Sequence, residues 1–180
     1  MTKQTIVIDA GHGGKDPGAI NGTYKEADAA LDISHLLAEE LIKKGYKAIM
    51  TRSDDTFIEL YDRCKIANYH NADLFISIHL NASTNKSAYG IETWCHPNSI
   101  KGNRFAGLVQ YALISELQAR DRGFKQSSGL CVLNHTKAPA ILIETGFISN
   151  DDECKKLFNG EYQKRIIKAI IRAIDKFFEA

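Results

Sequence analysis

Three short apolar segments constrain the fold of this chain more than any other feature of its sequence. Each segment is typical of a buried strand, and each is followed by a side chain that can bind a metal ion or transfer a proton. These segments and side chains are 5–9 with His12, 74–78 with His79, and 140–143 with Glu144. Ligands of open α/β sheets bind beyond the carboxyl ends of the strands, where the sheet holds the backbone rigidly. The sequence therefore predicts one active site where these strands end.

The rest of the chain alternates runs typical of strands with runs typical of amphipathic helices. Strands are predicted over 5–9, 46–51, 74–80, 89–96, 130–133 and 140–143, and helices over 26–44, 59–71, 103–119 and from about 161 onward. Alternating strands and helices imply parallel crossover connections, with helices on both faces of the sheet. The continuous apolar runs support this, because a strand covered on both faces need not alternate. We expect an α/β fold of three layers, α/β/α, around a mostly parallel sheet of about six strands.

The composition excludes several classes of protein. The chain has 180 residues, of which 44% are hydrophobic and 25% charged, with no shift in composition along its length. We expect one domain spanning residues 1–180, and a monomer. The formal net charge is +1, and the interspersed Lys and Glu create no sustained basic field, which argues against a nucleic-acid partner. No run approaches the roughly 18 apolar residues of a transmembrane segment.

The amino terminus bears on where the protein is made. Residues 1–4 lead directly into the first predicted strand and leave no room for the apolar segment of a signal peptide. We expect synthesis in the cytoplasm without a signal peptide, unless an export signal lies outside this sequence.

The four cysteines show no metal-binding or disulfide pattern. Cys64, Cys95, Cys131 and Cys154 are widely spaced and include no C-x-x-C pair. We interpret them as free thiols. A role for one of them as ligand or nucleophile is disfavoured, since histidine and glutamate side chains already supply a complete set.

A glycine-rich segment, 11–18, presents His12 at the end of the first strand. Such a segment folds tightly and brings backbone close to a ligand. The run Gly-Gly-Lys-Asp at 13–16 invites comparison with a phosphate-binding loop. That comparison fails because no G-x-x-x-x-G-K-[ST] run exists, and Lys15 is followed by Asp rather than by a hydroxyl residue.

Two further side chains complete a candidate metal site with His12. Glu26 lies in the first turn of a predicted helix, where the helix dipole favours a carboxylate with or without a metal. His79 closes an apolar strand, where burial costs free energy unless a partner is present. Two histidines and one carboxylate are the ligand pattern of a zinc hydrolase. Asn81 is placed to orient a ligand or substrate, although Asn also suits an ordinary turn.

Glu144 has two competing roles, as a fourth metal ligand or as a catalyst. Desolvation at the end of a buried strand destabilises the charged form of a carboxyl group, which suits a general acid or base. Four protein ligands close a zinc site, whereas three leave the open position that hydrolysis requires. We prefer three ligands with Glu144 as the catalytic residue.

Four blocks of the sequence, taken together and in order, indicate a family. They are IVIDAGHGG at 6–14 with DPGA at 16–19, then Glu26, then SIHLNA at 77–82, and PAILIETGFISN at 139–150. These blocks resemble the zinc-dependent N-acetylmuramoyl-L-alanine amidases of the amidase-3 type. Further matches to that family's pattern are Thr51, Arg52, Leu60, Arg63, Ala67 and Asn68. The resemblance covers nearly the whole chain.

The resemblance implies a peptidoglycan hydrolase that cleaves the amide between N-acetylmuramic acid and L-alanine of the stem peptide. It implies one Zn²⁺ per chain, bound by His12, Glu26 and His79, with Glu144 as the catalytic carboxylate. Zinc would polarise the amide carbonyl and activate water, while the carboxylate would accept the proton and return it to the leaving amine.

Parts of the sequence depart from the common family pattern. The turn at 134–137 and the cysteines look particular to this protein. We therefore keep His135 as a candidate substrate-binding residue, together with Asn81.

Two other functions remain open at this point. A zinc peptidase that cuts within the stem peptide would use the same ligands and would differ in its products. A wall-binding module without catalysis is disfavoured, because all three ligands and Glu144 are present. The family acts on the cell wall and includes phage endolysins and amidases that lyse a mother cell. Release linked to lysis would suit a chain without a signal peptide.

Overall fold

The computed structural model describes residues 3–179 and is built around one large sheet. The strands are β1 (Thr5–Ala10), β2 (Ile20–Asn21), β3 (Tyr24–Lys25), β4 (Lys47–Met50), β5 (Leu74–Asn81), β6 (Ile91–Cys95), β7 (Asp121–Gln126) and β8 (Ala140–Phe147). The helices are α1 (Glu26–Lys43), α2 (Leu60–Tyr69), α3 (Ile100–Leu117), α4 (Cys131–Asn134), α5 (Asp151–Leu157) and α6 (Gly160–Phe178).

The large sheet has six strands in the order β4-β1-β5-β8-β6-β7, and β2 and β3 form a separate antiparallel pair. Strands β4, β1, β5 and β8 are parallel, whereas β6 runs antiparallel to β8 and parallel to β7. The prediction of a mostly parallel sheet is confirmed. Because β1, β5 and β8 are parallel, their carboxyl ends lie at the same end of the sheet. The candidate site residues were expected there.

Two hydrophobic clusters fill the spaces on the two faces of the sheet. One joins β1 side chains such as Ile6 and Ile8 to α1, α3 and α6. The other joins Val7 to buried side chains of α2 and α4. Alternate residues of β1 thus enter opposite cores, as expected for a strand covered on both faces. The three-layer α/β/α prediction is confirmed.

The predicted strand over 130–133 is wrong, because residues Cys131–Asn134 form the short helix α4. The side chains of Val132 and Leu133 are buried in the cluster with α2. A short apolar run buries equally well as a strand or as a helical turn, so periodicity alone does not separate the two.

The sixth strand of the sheet is instead β7, which the sequence analysis missed. Its sequence, DRGFKQ, is mostly polar, and none of its six residues is buried. As the last strand at one edge of the sheet, β7 pairs on one side only. An edge strand with charged residues resists further pairing, which also hides it from a search for apolar runs.

The carboxyl-terminal part of the chain contains one helix more than predicted. Asn150 caps α5, accepting hydrogen bonds from the backbone N–H groups of Asp152 and Glu153, and Asn159 caps α6 in the same way.

Within residues 3–179, no helix has both the length and the apolar character needed to cross a membrane.

Candidate active site

Three of the predicted site residues converge at the carboxyl edge of the sheet. His12 follows β1, Glu26 begins α1 and His79 lies near the end of β5. Glu26 Oε1 is 3.1 Å from Nε2 of His12 and 2.9 Å from Nδ1 of His79. One donor atom from each residue lies within 4.8 Å of the others, so the three side chains can hold a metal ion.

Two glycines allow this convergence. A Cβ atom at Gly11 would collide with the imidazole ring of His79. Gly18 has a φ of +66°, and a Cβ atom there would lie 2.7 Å from both Glu26 Oε2 and His12 Cδ2. The glycine-rich segment is therefore needed for close packing around the site, as its composition suggested.

Hydrogen bonds from outside the group fix Glu26 and His12. The Glu26 carboxylate accepts bonds from the backbone N–H groups of Ala19 (2.9 Å) and Leu80 (3.0 Å). Asp16 Oδ2 lies 2.8 Å from Nδ1 of His12, which directs Nε2 of the same ring toward Glu26. Asp16 was not singled out from the sequence, although its position four residues after a candidate ligand was a usable signal.

The charges in this group reinforce one another. Burial alone would lower the pKa of His12, but hydrogen bonds and charges from Glu26 and Asp16 outweigh it and raise the pKa to about 9. Burial alone would raise the pKa of Glu26, but the two histidines hold it well below its usual range. Glu26 is thus a carboxylate at neutral pH, as a metal ligand must be.

Two buried arginines hold the backbone that carries His12. Arg63 pairs with buried Asp9 at 2.9 Å and donates to the carbonyl oxygens of Ala10 and His12. Arg52 donates to the carbonyl oxygens of Gly11 and Ala27, which joins this backbone to the start of α1. These arginines were expected only as part of the family pattern, with no role of their own. The charge of Asp9 at the end of an apolar strand was the available signal.

Glu144 lies beside the three ligand candidates but outside the group formed by their donor atoms. On β8 it is the cross-strand partner of His79. Its Oε2 atom is buried and has no hydrogen-bond partner among residues 3–179. Burial raises the pKa of Glu144 to about 7, and the charges of Glu26 and Glu92 add to the rise while that of His79 opposes it.

A cleft of about 460 Å³ opens beside His12 and His79. One wall comes from Phe57 and the following residues, and the other from residues 129–132. The lining is mainly apolar apart from the site residues. The arrangement is that of a binding cleft with His12 and His79 in its wall.

The two predicted substrate-binding residues lie in different surroundings. Asn81 donates to Glu92 Oε1 at 3.1 Å, close to Glu144 on the same sheet. His135 directly follows α4 as its C-cap residue, and its ring packs edge-on against that of Tyr61 in α2. All four cysteines are free thiols, as predicted, and Cys131 lines the cleft.

Known proteins with similar sequences belong to one family of enzymes. A profile of the family described as N-acetylmuramoyl-L-alanine amidase matches residues 6–176. N-acetylmuramoyl-L-alanine amidase LytC of Bacillus subtilis is 37% identical over 93% of this chain, which spans 34% of that protein. The germination-specific N-acetylmuramoyl-L-alanine amidase of the same organism is 30% identical, with 99% of this chain and 81% of the relative covered.

A solved structure extends the similarity to the fold. The crystal structure of an N-acetylmuramoyl-L-alanine amidase from Clostridium difficile 630 superposes with a TM-score of 0.95. The two chains are 38% identical, and the match covers 99% of this chain and 98% of that one.

Proposed function

We propose that this chain, which belongs to the N-acetylmuramoyl-L-alanine amidase family, hydrolyses the amide between N-acetylmuramic acid and the L-alanine of the peptidoglycan stem peptide. The observation that carries the proposal is the buried, unpartnered Glu144 Oε2 atom beside the His12, Glu26 and His79 group. We also propose that residues 1–180 form one catalytic domain.

We further propose that one zinc ion binds to His12, Glu26 and His79. Two imidazole nitrogens and a carboxylate oxygen are zinc ligands, and a set of three leaves a position open for chemistry. Their donor atoms lie close enough together to bind one ion. When bound, zinc would polarise the amide carbonyl and lower the pKa of a water molecule.

Asp16 and the backbone around Glu26 prepare the ligands. By accepting a hydrogen bond from Nδ1 of His12, Asp16 keeps the proton on that nitrogen and turns Nε2 toward Glu26. Nε2 is therefore the nitrogen that would bind a metal, with release of its own proton. The N–H groups of Ala19 and Leu80 hold the Glu26 carboxylate in place. These contacts lower the cost of ordering the site when a metal binds.

We assign Glu144 the role of general base and then general acid. Its carboxylate form accepts a proton from the attacking water, and its acid form returns the proton to the leaving amino group of L-alanine. A pKa of about 7 keeps both forms accessible near neutral pH. The position of Glu144 outside the donor group favours this role over that of a fourth ligand.

The site by itself also suits a zinc peptidase that cuts within the stem peptide. The family profile and the named relatives favour the amidase. The presence of Glu144 with all three ligand candidates also disfavours a wall-binding module without catalysis.

Product analysis tests the proposal. Purified peptidoglycan is digested with the protein, and the products are identified by mass spectrometry. An amidase releases stem peptides that begin with L-alanine and leaves glycan strands with free lactyl groups. Release of fragments cut within the peptide, with L-alanine still attached to N-acetylmuramic acid, would support the peptidase instead.

The relatives support a proposal about the setting in which the chain acts. An endolysin of Bacillus phage SPP1 is 39% identical over 84% of this chain. We propose that the protein acts on the cell wall as a monomer, and that release linked to lysis brings it there if it is made without a signal peptide.

A further inference from the structure

A charged surface lies on the same sheet face as Glu144, toward the β7 edge. Its centre is Glu92 of β6, a buried residue and the cross-strand partner of Glu144. Glu92 Oε2 accepts bonds from Arg122 Nε at 2.8 Å and from Lys125 Nζ at 2.7 Å. Cross-strand partners point to the same face of a sheet, so this cluster borders the catalytic residue.

The cluster carries an excess of positive charge. Arg122 and Lys125 share one oxygen of one carboxylate, and neither pairs with any other acidic side chain within the described part of the chain. Their side chains remain 27% and 35% exposed. Together the two cations carry one positive charge more than Glu92 neutralises, at a surface that a ligand can reach.

Both cationic side chains are held in place by more than Glu92. The Arg122 guanidinium lies 4.7 Å from the ring centroid of Phe147, and Lys125 Nζ lies 5.2 Å from that of Trp94. Such contacts reduce the conformational entropy that these side chains lose when they bind a ligand. The Trp94 ring is partly buried against the core cluster that includes Leu142, and it adds an apolar surface to this region.

The distance from Glu144 suits a short peptide. Neighbouring strands are about 4.8 Å apart, so β7 lies about 10 Å from the β8 backbone across β6. An extended peptide advances about 3.3 Å per residue. A chain that begins at the scissile bond and crosses β6 therefore reaches Arg122 and Lys125 within about three residues.

The chemistry of the substrate decides which part would occupy this surface. On the sugar side of the scissile bond, the lactyl carboxyl group is tied up in the amide and is uncharged. The carboxylates of the substrate belong to the stem peptide. A cationic surface next to Glu144 therefore complements the peptide rather than the glycan strand.

We propose that Arg122 and Lys125 bind a carboxylate of the stem peptide and direct the peptide across β6 toward the β7 edge. This inference rests on the proposed function and adds the direction and charge preference of substrate binding. Glu92 positions both cations through the oxygen atom that they share.

The test compares two soluble muramoyl tripeptides, one with free carboxyl groups and one in which every carboxyl group is an amide. The wild-type protein should show a KM about fivefold lower for the free form, the upper end of the range for a partly exposed ion pair, with little change in kcat. Arg122→Gln and Lys125→Gln should bring the ratio of the two KM values toward one. Lys125→Arg should preserve the ratio, since it keeps the charge.

A matched control is Lys168→Gln. Lys168 of α6 also pairs with a glutamate, Glu116 of α3, but this pair is not part of the Glu92 cluster. The control variant should leave the ratio unchanged. The ratio is insensitive to partial unfolding of a variant, because both substrates report on the same folded fraction. Equal KM values in the wild type, or a preference that survives both cation variants, would overturn the inference.

The same substrates separate this inference from the proposed function. Failure of the wild type to release peptides beginning with L-alanine would count against the amidase. Binding of the two tripeptides to the Glu144→Gln variant, measured by calorimetry, would still test the charge preference. A fivefold difference in Kd there supports the cationic subsite, and equal Kd values reject it.

Discussion

Glu144 lies directly across from His79 in the ladder between β5 and β8, and its Oε2 atom is buried without a hydrogen-bond partner among the described residues. Leaving a buried polar atom unsatisfied costs about 1–3 kcal/mol. Such a cost is expected at a site where a substrate or water supplies the missing partner. The relationship between these two residues links the fold to the proposed chemistry.

Replacing Asp16 should weaken metal binding without removing a ligand. In Asp16→Asn, the hydrogen bond to Nδ1 of His12 is lost or weakened, and zinc affinity should fall about tenfold to a hundredfold. Competition with a chromogenic chelator measures this change. The control is Asp62→Asn, at an exposed pair with Lys65, which should leave zinc affinity unaltered. An Asp16→Asn protein with wild-type affinity would mean that Asp16 does not orient His12.

Loss of the buried ion pair beneath the site should strongly destabilise the fold. Arg63→Met leaves the Asp9 carboxylate buried without its cation and should cost about 3–5 kcal/mol in the free energy of unfolding. Urea denaturation measures this cost. Adding Asp9→Asn should recover part of the loss, because the unpaired charge is then removed. Lys43→Met, which removes an exposed ion pair with Glu40, should change the free energy of unfolding far less, because solvent screens such pairs. Equal effects of the Arg63 and Lys43 changes would refute this account of the buried pair.

The Glu92 cluster should make stability depend on pH in a defined direction. Burial alone would raise the pKa of Glu92, but Lys125 and Arg122 outweigh it and lower the pKa below its usual value. A carboxyl group whose pKa is lower in the folded state stabilises the fold above its unfolded pKa, about 4.3. That contribution disappears as the pH falls through the folded value.

Comparison with Glu92→Gln isolates this contribution. The difference in free energy of unfolding between the wild type and the variant should be constant above about pH 5.5 and should shift against the wild type below about pH 5. Urea titrations at several pH values provide the measurement. A difference that does not vary down to about pH 3 would show that the Glu92 pKa is not lowered by folding.

The cysteines should be dispensable for chemistry. Cys131 lines the cleft, whereas Cys64, Cys95 and Cys154 are buried. Changing all four to Ser or Ala should reduce stability, because buried thiols pack like small hydrophobic groups, but the folded fraction should still cleave peptidoglycan. If turnover disappears while zinc content and fold remain intact, a thiol takes part in the reaction.

The sequence predicted the architecture where burial leaves a strong pattern. The continuous apolar runs of β1, β5 and β8 identified the central strands. The side chains that follow these runs identified the carboxyl ends of the strands as the place of the site. The predicted number of strands was right, but one member was wrong. β7 is polar and exposed, whereas residues 130–133 are apolar yet form a helical turn. Local hydrophobicity does not encode which short segment joins the edge of a sheet.

For the site, the sequence predicted the ligand candidates but not the contacts that support them. The ligand candidates His12, Glu26 and His79 were identified and converge in the structure. The supporting contacts of Asp16 and Arg63 were missed because they depend on three-dimensional proximity between distant segments. The roles of Asn81 and His135 in substrate binding stay predictions, although Asn81 contacts Glu92 of the proposed peptide subsite.

In the proposed reaction, His12, Glu26 and His79 hold the metal while Glu144 performs the proton transfers. The variant Glu144→Gln keeps the size of the side chain but removes its ability to accept a proton. Zinc content and turnover of peptidoglycan should be measured on the same preparation. We expect one zinc per chain, as in the wild type, with turnover reduced about a hundredfold to ten-thousandfold. Loss of zinc together with activity would contradict this expectation and make Glu144 a fourth ligand.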